Sequence, residues 1–195
     1  MRTYKGIEIE NTGKHVSMAH SWFLERNEGI GCLAELVDME KAGLAPEQFE
    51  AMSALASVYN MNYQICNGGL RQYFYNGYDR ERAPFNADDV KRLDKDAQVK
   101  MLRELLAFGR AVFPERELDN ERLDRIIADF DDAYYEEEED VWYDDEDCED
   151  GGYYEEEGGL CAPWDFDERY YKVNDYLEAL IEAYAQYLIK SFRSA

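Results

Sequence analysis

The chain has 195 residues, 46 % of them hydrophobic and 14 % aromatic, a composition that suits one globular domain and excludes a disordered polymer. Its 44 acids against 21 bases leave a balance of −23, and a field of that sign repels nucleic acid and anionic membranes while attracting basic surfaces. No stretch has the roughly 18 uninterrupted apolar residues of a membrane span.

In chain order, Tyr4 to Ile9 is the one place where residues alternate at period two, with Ile7 and Ile9 flanking Glu8. From Met18 to Val37 apolar residues fall at helical spacing, broken at Gly29-Ile30-Gly31. Leu44-Ala45-Pro46-Glu47 reads as a helix start, because proline in the first turn gives up no hydrogen bond and Glu47 complements the dipole. That helix is expected to run through Phe49, Met52, Leu55, Tyr59 and Tyr63 to Cys66. Asn67-Gly68-Gly69 should end it, since glycine accepts positive φ. A short segment, Leu70 to Tyr75, then stops at Asn76-Gly77. Asn86-Ala-Asp-Asp is an N-cap, followed by a helical pattern through Val90, Leu93, Met101, Leu102, Leu105 and Phe108, with a break near Asp94 to Asp96 and an end before Pro114. Another helix begins near Asp119-Asn120 and carries Leu123, Ile126, Ile127, Phe130 and Tyr134. Val173, Tyr176, Leu177, Leu180, Ile181, Tyr184 and Leu188 form an amphipathic stripe at the end of the chain. The expectation is a single all-α domain over residues 1–195 with five to seven helices.

An acidic, aromatic-rich insertion is expected at 136–168, before the last helix. Between Ile126 and Glu168 there are 20 carboxylates in 43 residues and no Lys or Arg; without them the other 152 residues carry only −3. Trp142, Tyr143, Tyr153, Tyr154 and Trp164 interrupt the charge blocks, unlike a purely solvating tail. From Asp129 to Glu157 there are 17 acids in 29 residues. As a helix this is about 2.6 Å per charge, within a factor of two of the roughly 1.7 Å per charge of duplex DNA. The bland alternative is a solvated insertion that only aids solubility. An EF-hand starting at Glu146 places Gly151 and Glu157 correctly but puts Cys148 at a ligand position, so no metal site is expected.

Catalysis finds little support. His15 and His20 are five apart, not on one helical face, and HExxH, GxSxG, Walker and GxGxxG motifs are all missing. Cys66 at a helix C-terminus would have a raised pKa, the wrong direction for a nucleophile. No cofactor is expected. The opening Met1-Arg-Thr-Tyr-Lys-Gly is not followed by the apolar run of a secretory signal. Cys32, Cys66, Cys148 and Cys161 lie scattered without CxxC pairing, as suits reduced thiols in the cytoplasm.

The most distinctive string is Asn67-Gly68-Gly69-Leu70-Arg71-Gln72-Tyr73-Phe74-Tyr75-Asn76. It reads as a packing corner in which Tyr73 and Phe74 plug the core while Asn67, Gln72 and Asn76 satisfy backbone groups; the alternative is a ligand pocket built from that polar trio. The string resembles the signature of a bacterial DUF4375-type, DMP19-like family that includes a DNA mimic. Leu44-Ala45-Pro46-Glu47-Gln48 and Leu123-Asp124, Phe130, Asp132 and Tyr134-Tyr135 are similar to its flanking elements. The resemblance implies an all-α fold, no known catalysis and, for the mimic, occupation of a DNA-binding protein's nucleic-acid site as a dimer. The long insertion after Tyr135 departs from that pattern.

Together these readings point to a non-enzymatic protein whose acidic face engages a basic protein, with neither nucleic acid nor membrane bound directly. The contact residues would be Glu136, Glu137, Glu138, Glu139, Asp140, Trp142, Tyr143, Asp144, Asp145, Glu146, Asp147, Glu149 and Asp150. The alternatives are an immunity-type inhibitor of a basic toxin, and a small-ligand or enzymatic domain using the Asn67 corner.

Overall fold

The computed structural model describes residues 2–9, 43–75, 95–136 and 159–194. Among them are five α-helices, and the expected all-α domain is what the chain forms. The elements in order are strands β1 (Arg2–Tyr4) and β2 (Ile7–Ile9), helices α1 (Pro46–Tyr75), α2 (Lys95–Val112) and α3 (Glu117–Asp132), strands β3 (Tyr134–Glu136) and β4 (Gly159–Cys161), and helices α4 (Phe166–Tyr171) and α5 (Asn174–Ser194). The segment Met18 to Val37 and the pattern at Val90 and Leu93 lie outside the described residues.

Helix α1 starts where the proline places it. The Gln48 side chain turns back to accept the Ala45 N–H at 3.0 Å, half of a capping box. Met52, Leu55, Val58, Met61 and Ile65 bury its inner face. The glycine pair breaks the helical geometry, with Gly68 at φ −158° and Gly69 at φ +78°. The first helical stretch ends there as expected, and Leu70 to Tyr75 is a second one of about a turn and a half beyond the kink, with Leu70, Tyr73 and Phe74 buried in the same core. Helices α2 and α3 form a hairpin joined by a 3-10 turn at Pro114–Arg116. Val99, Leu102, Leu105 and Leu106 of α2 and Leu123, Ile126, Ile127 and Phe130 of α3 supply apolar faces to the core.

Helix α5 runs through the centre against α1, α2 and β2. Every residue from Leu180 to Gln186 is buried, so this helix is covered well beyond a single stripe. Gly109 lets α2 approach it closely; a Cβ there would sit 2.6 Å from the Tyr176 hydroxyl and 2.9 Å from Asn120 Oδ1. The alternation at Tyr4 to Ile9 is a β-hairpin, in register Tyr4↔Ile7, turning on Lys5 and Gly6 at φ +47° and +82°. Both turn residues are left-handed, as a two-residue hairpin with right-handed strand twist requires. Tyr4 packs edge-on against Phe108 (4.9 Å between ring centres) and Tyr187 (5.0 Å).

Among the described residues tyrosine serves the core as well as the half-buried positions its chemistry suggests. Tyr73, Tyr170 and Tyr176 are almost fully buried, and each hydroxyl donates to an amide side chain: Gln98 at 2.5 Å, Asn62 at 2.6 Å and Asn120 at 2.8 Å. Burial pushes the Tyr59 and Tyr176 hydroxyls up to about 12, and that of Tyr170 well above its ordinary value. A folded-state pKa above the unfolded value of about 10 gives stability that is complete below pH 10 and lost as pH rises through 12. Near-ultraviolet tyrosinate absorbance should therefore rise in two stages, the second coinciding with loss of helical circular dichroism near pH 12. A single stage near pH 10 with the helices intact would contradict this.

Candidate functional site: the glycine corner and the root of the acidic excursion

The two regions singled out in the sequence meet in space. At the kink of α1 the Leu70 N–H, freed by the glycine pair, donates to Asp167 Oδ1 at 2.9 Å, across 97 positions of sequence. Asp167 stands in the first turn of α4. A Cβ on Gly69 would lie 2.3 Å from Asp167 Oδ2, so the bare Cα and the left-handed φ together make room for that carboxylate. The Gln72 amide donates to Gln64 Oε1 at 3.1 Å across the kink. Tyr73 and Phe74 plug the core as expected; Asn67 is exposed, and Asn76 lies outside the described residues. Cys66 is a free thiol whose pKa burial raises to about 12, with Glu178 and Asp175 adding to the shift. The raised direction is the expected one, though burial rather than the helix end is the main cause.

Beyond α3 the chain enters an antiparallel ladder. Tyr134 pairs with Cys161, Tyr135 with Leu160 and Glu136 with Gly159. The chain thus leaves at Glu136 and is back beside it at Gly159. Sequence reading places no strand here and treats 136–168 as one insertion; its last part, Gly159 to Glu168, is strand, turn and the start of α4. The 22 residues between the ladder ends hold 13 carboxylates and no base. Apart from Glu136, the expected contact residues, Glu137 through Asp150, lie outside the described residues.

Side chains brace this root. Lys95 Nζ, at the start of α2, donates to the Asp131 carbonyl at 2.7 Å and also to that of Ala133. A cation on the last carbonyls of α3 offsets the negative end of its dipole. Arg169 of α4 bridges Asp129 of α3 (2.5 Å) and Asp165 of the preceding turn (3.0 Å). Elsewhere on the body, acids pair with bases: Glu115 with Arg2, Asp119 with Arg116, Asp124 with Arg110, Asp131 with Arg103 and Glu168 with Lys172. Exposed pairs of this kind contribute little stability, but they neutralise the surface they cover. Outside the 22 residues the chain has 31 acids and 21 bases, or −10. The 22 residues alone carry −13.

Among the described residues no group of three or more His, Cys, Asp and Glu side chains is placed to hold a metal ion, and no helix is long and apolar enough to cross a membrane. Sequence reasoning missed α4 and its two working side chains, Asp167 and Arg169. One signal was present: Asp165 before Phe166, with Asp167 and Glu168 in the next turn and Pro163 just upstream, has the chemistry of a helix start. The targets of those side chains had no signal at all.

A family model described as DMP19-like protein matches residues 47–190, well over half of the chain and including both the glycine corner and the ladder. No curated protein and no solved structure matches the chain.

Proposed function

We propose a function from one established premise: this chain belongs to the DMP19-like family. It acts as a DNA mimic, a protein whose carboxylates take the place of phosphates in the nucleic-acid site of a basic, DNA-binding partner. The acid blocks Glu136 to Asp140 and Asp144 to Asp150 supply the charge, and Trp142 and Tyr143 supply aromatic contacts that exclude water at the interface.

The observation that carries this reading is the distribution of charge. Exposed acids of the described body pair with bases, while the 22 residues between the two paired ladder ends hold 13 carboxylates and no Lys or Arg. Both ends of that stretch are tied to one point of the fold, where Glu136 pairs with Gly159. Acids that served solubility alone would do so equally well scattered over the surface.

Salt and DNA test it. DNA-binding proteins captured on the immobilised chain from a bacterial lysate should be released by duplex DNA. Their affinity should also fall linearly on a log–log plot against salt, with several logarithmic units lost per tenfold rise, as for a protein making six or more phosphate contacts. Affinity unchanged at about 0.5 M salt, where the Debye length is only a few ångströms, would rule mimicry out.

A further inference from the structure

Helix α4 is six residues long, yet it reaches both the glycine corner and the ladder. In an unbroken helix the Ile65 carbonyl would accept from the Gly69 N–H and the Cys66 carbonyl from the Leu70 N–H; at the kink the two glycines leave helical geometry. Both sides of that break are held from α4. Before it, the Tyr171 hydroxyl donates to the Ile65 carbonyl at 3.3 Å. After it, the Leu70 N–H donates to Asp167 Oδ1 at 2.9 Å. Asp167 and Tyr171 are four residues apart, so they stand on one face of the short helix. Beside them the Tyr170 hydroxyl donates to Asn62 Oδ1 at 2.6 Å, a third tie to α1.

Arg169, two residues from Asp167, reaches the other way. It bridges Asp129 at 2.5 Å, and the Asp129 carbonyl accepts the Ala133 N–H at 3.0 Å, one residue before β3. On the other strand, β4 ends at Cys161, and a hydrogen bond from the Phe166 N–H to the Pro163 carbonyl at 2.9 Å tightens the short link into α4. One strand of the ladder is thus joined directly to α4, and the other to the turn of α3 that α4 grips. Phe166 and Tyr170 are buried, while Glu168, Tyr171 and Lys172 are exposed, so α4 lies at the edge of the core. Helix α5 is buried at every position from Leu180 to Gln186. Folded proteins open in contiguous units, those at the edge more readily than the centre. When α4 lifts, the Leu70 N–H and the Ile65 carbonyl lose these partners together, and the ladder loses the support at its foot.

We propose that α4 is a latch through which the kink of α1 and the β3–β4 ladder open and close as one unit, ahead of the α5 core. The assignment is independent of what the acidic stretch binds. Residue-resolved amide exchange on the full-length chain tests it. In the parent, the Leu70 amide and those of the ladder should share one opening constant and one urea dependence. They should exchange faster than Leu180 to Ala185, which open only with the whole fold. Tyr171→Phe deletes one hydroxyl and leaves the Leu70 bond to Asp167 in place; it should speed Leu70 and the ladder by the same factor, about threefold. Asp167→Ala should speed the ladder about tenfold or more, as loss of a hydrogen bond to a charged group does, although that bond includes no ladder residue. Ladder exchange unchanged in Tyr171→Phe would overturn the latch, because the kink would then open without the root. Unequal opening constants for Leu70 and the ladder in the parent would overturn it as well. So would a shared constant equal to that of α5, because the unit would then open only with the entire fold.

Discussion

Excising residues 137–158 and joining Glu136 to Gly159 through Asn-Gly is expected to leave the helices intact while lowering affinity for the basic partner by about a thousandfold or more. The design uses the ladder. Glu136 and Gly159 are register partners, so a two-residue turn of left-handed residues can close them as an ordinary hairpin. The excised residues take 13 of the 23 net negative charges with them. Substitution of the same 13 carboxylates by their amides should produce the same loss at full chain length. Far-ultraviolet circular dichroism and a thermal melt report the fold, and titration calorimetry against the captured partner reports the affinity. Retained affinity in a folded excision variant would show that the partner reads some other face.

Gly69→Ala is expected to destabilise the protein by about 3–5 kcal/mol, a large share of the 5–15 kcal/mol typical of a folded domain. Two independent costs combine. With φ +78° and ψ −180°, Gly69 occupies a region essentially closed to other residues, a strain of about 1–3 kcal/mol. The new methyl would also lie 2.3 Å from Asp167 Oδ2. Displacing that carboxylate strands the Leu70 N–H, a further cost of about 1–3 kcal/mol for a partly buried donor. Gly68→Ala makes the control. Its φ of −158° is open to any residue, and the methyl would displace the flexible Gln72 side chain from its hydrogen bond to Gln64, so about 1 kcal/mol is expected. Urea denaturation of both variants decides the matter; equal losses, or less than about 1 kcal/mol for G69A, would show that the corner does not depend on Asp167.

The local signals were read correctly where their physics is local. Proline in the first turn starts α1, the glycine pair interrupts it and the apolar stripe of α5 marks its buried side, because each of these depends on residues within a turn or two. The candidate site was legible only as composition. Twenty acids without a base identify a region and the sign of its partner, but composition carries no geometry. Leu70 seeking Asp167, Arg169 seeking Asp129 and Glu136 pairing with Gly159 join residues 97, 40 and 23 positions apart. None belongs to a periodic pattern, since a single hydrogen bond or ion pair has no period. The aromatic richness was likewise visible without its use: nothing local tells Tyr176, whose hydroxyl reaches Asn120, from Trp164, whose ring reaches solvent. What the amino-acid sequence determined by itself was an all-α body and one concentrated negative charge. Where that charge is rooted, and which side chains brace the root, was decided by tertiary packing, because only the folded core brings the end of α3, the kink of α1 and the turn before α4 within bonding distance.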